Sequence, residues 1–193
     1  MKSQTFFDQN LENINHKHIK TRKNLIFTQL IQENLDTKIF GRKIEYLTCT
    51  NSTNDDVWSL LPQNKGEGLL VITDQQNHGR GRRGNIWISQ PELSLTFSIL
   101  MKPKLKLNQI GILPLKMGVA VVQGINQFSN IKCKLKWPND IFLNKKKVGG
   151  ILAESKQFDN EIYVTLGIGV NVNEKEIPNS LYSKATSLKI ETG

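Results

Sequence analysis

Glycine and arginine alternate in one short segment of this chain, Gly79-Arg80-Gly81-Arg82-Arg83-Gly84, which follows the apolar run Leu69–Thr73. Glycine lets a backbone adopt positive φ and approach a ligand closely. Arginine presents a fork of N–H donors that matches carboxylate and phosphate oxygens. The segment therefore predicts a flexible, cationic flap over an anionic small molecule. A solvated basic loop is the alternative that this motif alone leaves open.

The same segment contains the pattern G-x-G-x-x-G, which in dinucleotide-binding folds opens a helix whose N-terminus holds a pyrophosphate. Here the following residues are Ile86-Trp87-Ile88-Ser89 and then Pro91, which are typical of an extended strand. No acidic residue ends a second strand about 20 residues further on, where the region reads Met101-Lys102-Pro103-Lys104. This context argues against a dinucleotide-binding fold.

A second group of polar residues surrounds a predicted turn, Lys136-Trp137-Pro138-Asn139-Asp140. Proline fixes φ and removes a backbone donor, so the turn is rigid and holds Asn139 and Asp140 in fixed directions. Lys147 begins the strand that returns from this turn, and Gly149-Gly150 within that strand mark a place where a ligand or another backbone comes close. A plain hairpin with a solvated lysine turn is the alternative interpretation.

A third pattern, Gly167-Ile168-Gly169-Val170-Asn171, ends the last predicted strand. The two glycines alternate on one face of the sheet and leave room there. The amide of Asn171 carries both a donor and an acceptor, which the edge of a purine requires. A glycine-thinned strand that runs into a loop explains this pattern about as well when it is considered alone.

Hydrophobic periodicity predicts the elements that must position these residues. The predicted helices cover Leu25–Asn34, a segment from the N-cap candidate Ser52 to about Leu61, and Asn108–Phe128. The predicted strands cover Lys43–Thr50, Leu69–Thr73, Leu93–Met101, Ile131–Trp137, Ile141–Leu143 paired with Val148–Ala153, and Glu161–Val170. Asp55 completes a weak capping box with Ser52. Helices outside a mixed, largely antiparallel sheet indicate an α+β fold rather than a doubly wound one.

The composition adds limits on class and location. The 193 residues include 26 basic and 17 acidic side chains, a net charge of +9 that favours anionic partners. Cys49 and Cys133 have no CxxC partner, which predicts free thiols in a reducing compartment. Residues 1–24 are polar and are expected to form a flexible arm without a signal peptide. No membrane span, no metal-ligand spacing among the histidines and a cytoplasmic location are expected.

Taken together, these segments resemble the catalytic domain of the biotin–protein ligases, whose fold is similar to that of class II aminoacyl-tRNA synthetases. The matching pieces are Ser52-Thr53-Asn54, Gln76 with Gly79–Gly84 and Trp87, Lys136–Ile141, Lys147–Glu154, Gly167–Asn171 and Ala185-Thr186-Ser187-Leu188. The resemblance covers roughly residues 43–190. It implies that residues 25–193 are such a catalytic domain, truncated at its C-terminal end, without an N-terminal DNA-binding domain or a C-terminal SH3-like domain.

The resemblance implies a two-step ligase. ATP would activate biotin as biotinyl-5′-AMP, and biotin would then pass to a specific lysine of a biotin carboxyl carrier protein, a subunit or domain of acetyl-CoA carboxylase. Biotin and ATP are implied as substrates, with Mg²⁺ on the polyphosphate. No specific DNA binding is expected, and an edge of the sheet could form a homodimer. A lipoate–protein ligase, a non-catalytic biotin-binding remnant and a basic nucleic-acid-binding module remain as alternatives.

The resemblance also implies roles for individual residues. The biotin-binding residues that it implies are Ser52, Thr53, Gln76, Gly79, Arg80, Arg82, Trp87, Lys147 and Gly150. The ATP-binding residues that it implies are Arg82, Lys136, Asn139 and Asn171. The catalytic set is Lys147, Arg80, Arg82 and Asp140, with Lys147 bridging the biotin carboxylate and the α-phosphate. Three roles for Asp140 remain open: holding Mg²⁺, orienting Lys147 or assisting the incoming amine. Asn85 stands where the family often carries a basic residue.

Overall fold

A computed structural model of the chain describes residues 26–63, 66–128, 131–178, 181 and 184–193. The strands are β1 (Lys43–Leu47), β2 (Leu69–Thr73), β3 (Ser94–Met101), β4 (Lys134–Lys136), β5 (Asp140–Leu143), β6 (Lys146–Phe158) and β7 (Glu161–Asn171). The α-helices are α1 (Thr28–Glu33), α2 (Thr53–Leu60), α3 (Leu113–Phe128) and α4 (Leu188–Thr192). The predicted arm over residues 1–24 lies outside the described residues.

The strands form one sheet of seven within the described residues, in the order β1-β2-β3-β7-β6-β5-β4. β1 and β2 run parallel, and each of the other neighbouring pairs is antiparallel. This topology confirms the predicted α+β class with a mixed, largely antiparallel sheet.

The alternation of residue types along β7 gives the sheet two different faces. Leu166 and Ile168 are almost fully buried in the apolar core beneath α3. Gly167 and Gly169 point to the opposite face, where α2 packs and where Asn54 in its first turn lies directly against Gly167. The glycines therefore leave space on the α2 face of the sheet, as their spacing predicts.

The observed strands differ from the predicted ones mainly at their ends. β1 stops at Leu47 because the chain turns there, although Thr50 still forms an isolated bridge with Gln76. β4 is shorter than predicted. β6 continues past Ala153 to Phe158 because every residue in that stretch pairs with β7. Hydrophobic periodicity did not predict this extension because most of its residues are polar.

The predicted capping box at α2 is wrong. Ser52 occupies the N-cap position, but its side chain makes no capping hydrogen bond. Asp55 instead pairs with the guanidinium of Arg80. The predicted long helix begins as a 3₁₀ turn over Leu107–Ile112, and α3 follows with Pro114 in its first turn, where proline is tolerated.

α4 was not predicted, and it begins where the Ser187 hydroxyl accepts a hydrogen bond from the Ile190 N–H at 3.0 Å. None of the helices in the part of the chain that the structure describes is both long enough and apolar enough to cross a bilayer.

Candidate active site

A cleft of about 330 Å³ opens on the face of the sheet that carries Gly167 and Gly169. Its walls come from α2, β3, β7, the glycine–arginine segment, the turn before β5 and the first half of β6. Of the predicted site residues, those that line it are Ser52, Gln76, Arg80, Arg82, Trp87, Asn139, Asp140, Lys147 and Gly150. Three motifs that are distant in sequence therefore meet around one cavity.

A hydrogen-bonded group of uncharged side chains, which we call the neutral network, consists of Thr53, Asn54, Gln76 and Ser98. The backbone N–H of Thr53 donates to Oε1 of Gln76 at 2.8 Å. Ser98 donates to Oδ1 of Asn54 at 2.6 Å, and its own oxygen lies 2.7 Å from the Thr53 hydroxyl. Thr53, Asn54 and Ser98 are all buried. Thr53 does not line the cleft itself but holds Gln76, which does.

Nδ2 of Asn54 is buried and has no hydrogen-bond partner among the described residues. Buried donors are rarely left unsatisfied, because an unmade hydrogen bond costs about 1–3 kcal/mol. Asn54 itself lines the cleft. The network thus contains a buried amide donor that no other described residue pairs.

Trp87 forms a side wall of the cleft. Its indole packs so closely on Gly169 that a Cβ there would overlap the ring. The indole N–H points to the Thr96 hydroxyl at 3.4 Å, and the Trp87 backbone N–H donates to the Gly79 carbonyl at 2.9 Å. Gly79 does not line this cleft; it permits the close backbone approach that sets the position of Trp87.

The glycine–arginine segment is a tight hairpin beside the cleft. The Gly81 N–H donates to the Asn85 carbonyl at 2.7 Å, and Arg82–Gly84 form a 3₁₀ turn at the tip. Arg83 and Gly84 adopt positive φ values of 57° and 76°, and the glycine is suited to this conformation. From the tip, Nη1 of Arg82 reaches the turn on the other side and donates to Oδ1 of Asn139 at 3.1 Å.

Arg80 is engaged differently from the expectation that it lies over a ligand carboxylate and phosphate. Its guanidinium donates to both oxygens of Asp55, at 2.6 and 2.8 Å, and to Glu154 at 3.1 Å. The hydrogen bond from Arg80 holds the pKa of Asp55 below its usual value. These carboxylates are 25 and 74 residues away in sequence, so local spacing gave no signal for them.

The turn before β5 fixes Asn139 through two bonds to one residue. Nδ2 of Asn139 donates to the Ile151 carbonyl at 2.8 Å, and the Ile151 N–H donates to the Asn139 carbonyl at 2.9 Å. The Trp137–Pro138 peptide bond is cis. Oδ1 of Asn139 is thereby turned toward Arg82, as the prediction of a rigid turn requires.

Lys147 and Asp140 form an ion pair on the cleft wall, with Nζ and Oδ1 2.6 Å apart. Asp140 pairs with Gly150 in the sheet, and a register shift near Ile141 lets Lys147 lie beside Gly150. A Cβ at Gly150 would stand 3.3 Å from Nζ of Lys147, so the glycine gives the lysine its path. We call Arg82, Arg83 and Lys147, which carry positive charge into the cleft, the cationic rim.

Two residues predicted to bind ATP do not line the cleft. Nζ of Lys136 lies 4.5 Å from the centroid of the Phe142 ring. Nδ2 of Asn171 donates to the Thr186 carbonyl at 2.9 Å. The Thr186 N–H in turn donates to the Lys147 carbonyl at 2.8 Å. Asn171 therefore braces the strand that carries Lys147, and its contact with a nucleotide stays a prediction.

Sequence reasoning missed several residues that shape the cleft. Thr96 and Ser98 are buried although they belong to a mostly apolar strand. Their alternation, continuing from Ser94, is a usable signal because polar residues at every second position of a strand share one face. Trp137, 77% exposed, and Ile86, 79% exposed, also line the cleft. Trp137 belongs to the predicted turn but was not assigned to the site, and nothing in the sequence around Ile86 distinguishes it from an ordinary surface residue.

The model of the Biotin/lipoate A/B protein ligase family matches residues 46–173 of this chain. The chain belongs to this family. The match includes the neutral network, the hairpin, the turn before β5 and Lys147, so the family and the fold predicted from the sequence are both confirmed.

Relatives within the Biotin/lipoate A/B protein ligase family include enzymes from bacteria and animals. The chain is 37% identical over 166 residues to the bifunctional ligase/repressor BirA of Bacillus subtilis, covering 84% of this chain and 51% of that protein. It is 33% identical over 151 residues to the biotin–protein ligase of Homo sapiens, covering 75% of this chain and 21% of that protein. The chain spans about half the length of the Bacillus relative.

Solved structures of family members share the architecture. Biotin protein ligase from Aquifex aeolicus, in complex with biotin and ATP, superposes with a TM-score of 0.66 at 36% identity, covering 79% of this chain and 62% of that one. The enzyme from Leishmania major, in complex with biotin, gives a TM-score of 0.66 at 26% identity, covering 77% and 64%.

Proposed function

We propose that this chain activates biotin with ATP as biotinyl-5′-AMP and transfers biotin to a lysine of a carrier protein. One observation carries the proposal: a single cleft joins the neutral network, which lines it through Asn54 and Gln76, to a cationic rim. The similar enzymes from Aquifex aeolicus and Leishmania major, solved with biotin and ATP and with biotinyl-5-AMP, support the same assignment.

The neutral network suits the ring system of biotin. That ring is an uncharged cyclic urea with one carbonyl acceptor and two N–H donors. Nδ2 of Asn54 is a donor without a partner among the described residues, and Gln76 lines the same cleft with its Oε1 already fixed by Thr53. Matching a buried polar group to its partner gives strong discrimination, because a wrong ligand leaves that group unpaired.

The cationic rim suits the reaction. A carboxylate oxygen of biotin attacks the α-phosphorus of ATP, the bond to the leaving pyrophosphate breaks, and two anions must be held together while this happens. Lys147 and Arg82 supply positive charge at fixed positions, so catalysis rests on placement and electrostatic stabilisation. In the second step a neutral lysine amine of the carrier attacks the acyl carbon, AMP leaves, and the amine loses a proton to solvent.

The product of the first step is a mixed anhydride that water hydrolyses. A hairpin that reaches across the cleft and contacts the opposite turn through Arg82 and Asn139 limits the access of water. Retention of the intermediate until the carrier arrives is therefore a property of the hairpin.

Mg²⁺ would accompany the polyphosphate. Among residues 26–63, 66–128, 131–178, 181 and 184–193 no group of three His, Cys, Asp or Glu side chains is arranged to hold a metal ion. Mg²⁺ commonly binds through substrate phosphates with one or two carboxylates, and Asp140 is the carboxylate that lines the cleft. Asp140 would hold the ion, which would supply neutralising charge to the phosphates.

We further propose that the acceptor is a biotin carboxyl carrier protein. The chain is 30% identical over 152 residues to the biotin–[acetyl-CoA-carboxylase] ligase of Mycobacterium tuberculosis. Specific duplex DNA binding is not part of this proposal, and a homodimer would form along a sheet edge at β1 or β4. A cytoplasmic location fits Cys49 and Cys133, which are both free thiols.

Biotin-dependent exchange of pyrophosphate into ATP tests the proposal on the 193-residue chain, with lipoate as the comparison acid. Exchange with biotin and not with lipoate is the expected result. Exchange with lipoate alone would assign the other activity of the family. Biotin binding without any exchange would indicate a binding domain without ligase activity, and the loss of both would contradict the proposal.

A further inference from the structure

Besides the two arginines of the cationic rim, the hairpin contains Arg80, whose charge is paired outside the rim. Arg80 is bound by two carboxylates from two different elements, Asp55 in α2 and Glu154 in β6. Glu154 is itself fixed, because its Oε2 accepts a hydrogen bond from the Trp58 indole N–H at 3.2 Å. Lys156 lies 4.9 Å from the Trp58 ring and lowers the pKa of Asp55 further. The cluster therefore balances two positive and two negative charges.

Arg80 and Arg82 occupy different parts of the hairpin. Arg80 lies in the stem, where it forms an isolated antiparallel bridge with Ile86. Arg82 lies at the tip and contacts Asn139 across the cleft. The position of the tip depends on the direction of the stem, and a bidentate ion pair fixes direction as well as distance. Arg80 is thus placed to orient the arm that carries Arg82.

We propose that Asp55 and Glu154 are positioning residues that hold the hairpin stem through Arg80, so that the tip stays over the acyl-adenylate. This inference rests on the proposed function, because the retained molecule is the product of the adenylation step. Neither carboxylate touches the reacting atoms. Their effect is exerted on the lifetime of the intermediate in the cleft.

Because Arg80 and Asp55 are partly exposed, an effect on the position of the hairpin can be distinguished from an effect on the stability of the fold. The side chains of Arg80 and Asp55 are 41% and 53% exposed, and ion pairs with this exposure typically contribute about 0.2–1 kcal/mol to the free energy of unfolding. Lys102 and Glu161 form a matched ion pair elsewhere on the surface, with side chains 41% and 55% exposed. Glu161→Gln therefore controls for the loss of an equally exposed ion pair outside the hairpin, and the melting temperatures report any difference in strength between the two pairs.

The test uses Asp55→Asn, the double variant Asp55→Asn with Glu154→Gln, and Glu161→Gln as the control. Biotinyl-5′-AMP is formed in the cleft from biotin and ATP, excess substrate is removed, and release is followed with time. Release from Asp55→Asn should be about three- to fivefold faster than from the unchanged chain. Release from the double variant should be faster still, while the Glu161→Gln control and the melting temperatures stay unchanged.

Two further measurements keep the outcomes distinct. Backbone amides of residues 81–85 should exchange hydrogen faster in the double variant, and Asp55→Glu should restore slow release because it retains a carboxylate. Absence of biotin-dependent pyrophosphate exchange in the unchanged chain would overturn the proposed function. Normal exchange with equal release from all variants would overturn the positioning role alone, as would a melting temperature that falls in step with release.

Discussion

The neutral network and the cationic rim line one cleft but are built in opposite ways. The network is uncharged and largely buried, and its members Thr53, Asn54 and Ser98 come from α2 and β3. The rim is charged and largely exposed, and Arg82 reaches its partner from the tip of a hairpin. Buried hydrogen bonds cannot rearrange without loss, so the network selects a ligand. The rim instead presents positive charge, so it acts on the anionic groups that react.

The neutral network also lowers the stability of the fold. The Nδ2 atom of Asn54 stays unpaired among the described residues, and a buried unpaired donor lowers stability by about 1–3 kcal/mol. The rim carries no such cost, because Lys147 and Asp140 neutralise each other at 2.6 Å while both remain partly accessible.

The largest effect is expected from removing the charge at the centre of the rim. Lys147→Ala should lower the adenylation rate by about 10²- to 10³-fold, the range found when one electrostatic contact to a transition state is lost. Biotin affinity should change far less, because the neutral network is intact. Lys145→Ala, in the exposed turn before the same strand, is the control and should adenylate normally. Single-turnover kinetics with separate biotin titrations measure both quantities, and equal losses in the two would remove the distinction between rim and network.

A side chain at Gly169 should break the packing of Trp87 on the sheet between the neutral network and the cationic rim. A Cβ there overlaps the Trp87 indole, so Gly169→Val has to displace the tryptophan at a cost of about 1–3 kcal/mol in unfolding free energy. Biotin affinity should fall with it, because Trp87 forms a wall of the cleft. Gly124→Ala, with no atom within 4 Å of the added Cβ, should instead raise stability slightly. Urea unfolding and biotin titration check this, and a Gly169→Val variant with normal affinity would exclude Trp87 from the site.

These two regions were not equally predictable from the sequence. Glycine, arginine and lysine in short motifs indicated the rim, because their chemistry is visible in residue type and spacing. The network depends on contacts between α2 and β3, such as that of Asn54 with Ser98, 44 residues away. The partners of Arg80 were not predicted for the same reason, because they are also distant in sequence. Periodicity located every strand of the sheet but misplaced several ends, since the exposed polar end of β6 is held by pairing with β7 rather than by burial.

A smaller effect is expected from Glu174, a buried carboxyl group outside the cleft. It extends the comparison of buried and exposed polar groups to a buried group that can ionise. Glu174 accepts a hydrogen bond from Ser94 at 2.5 Å, and burial raises its pKa above the usual 4.5. Between 4.5 and that raised value the folded state holds more protons than the unfolded state. The contribution of Glu174 to stability should therefore be greatest below pH 4.5 and fall as the pH rises through this window.

Glu174→Gln should remove that dependence, so the difference in melting temperature between variant and unchanged chain should grow in favour of glutamine as the pH rises. Melting curves across the acidic range measure it. Parallel curves for the two proteins would show that Glu174 is ionised at no cost in the folded state.

The division of labour within the cleft is tested most directly by titrating biotin and a non-hydrolysable biotinyl-5′-AMP analogue into Ser98→Ala and Arg82→Ala. Lys104→Ala, at an exposed residue that does not line the cleft, is the charge-matched control. Ser98→Ala disturbs the neutral network and should weaken both ligands by the same factor, about fivefold to tenfold. Arg82→Ala should leave biotin affinity unchanged and weaken only the adenylate analogue. An equal loss of both ligands in Arg82→Ala, or a selective loss of the analogue in Ser98→Ala, would contradict the account.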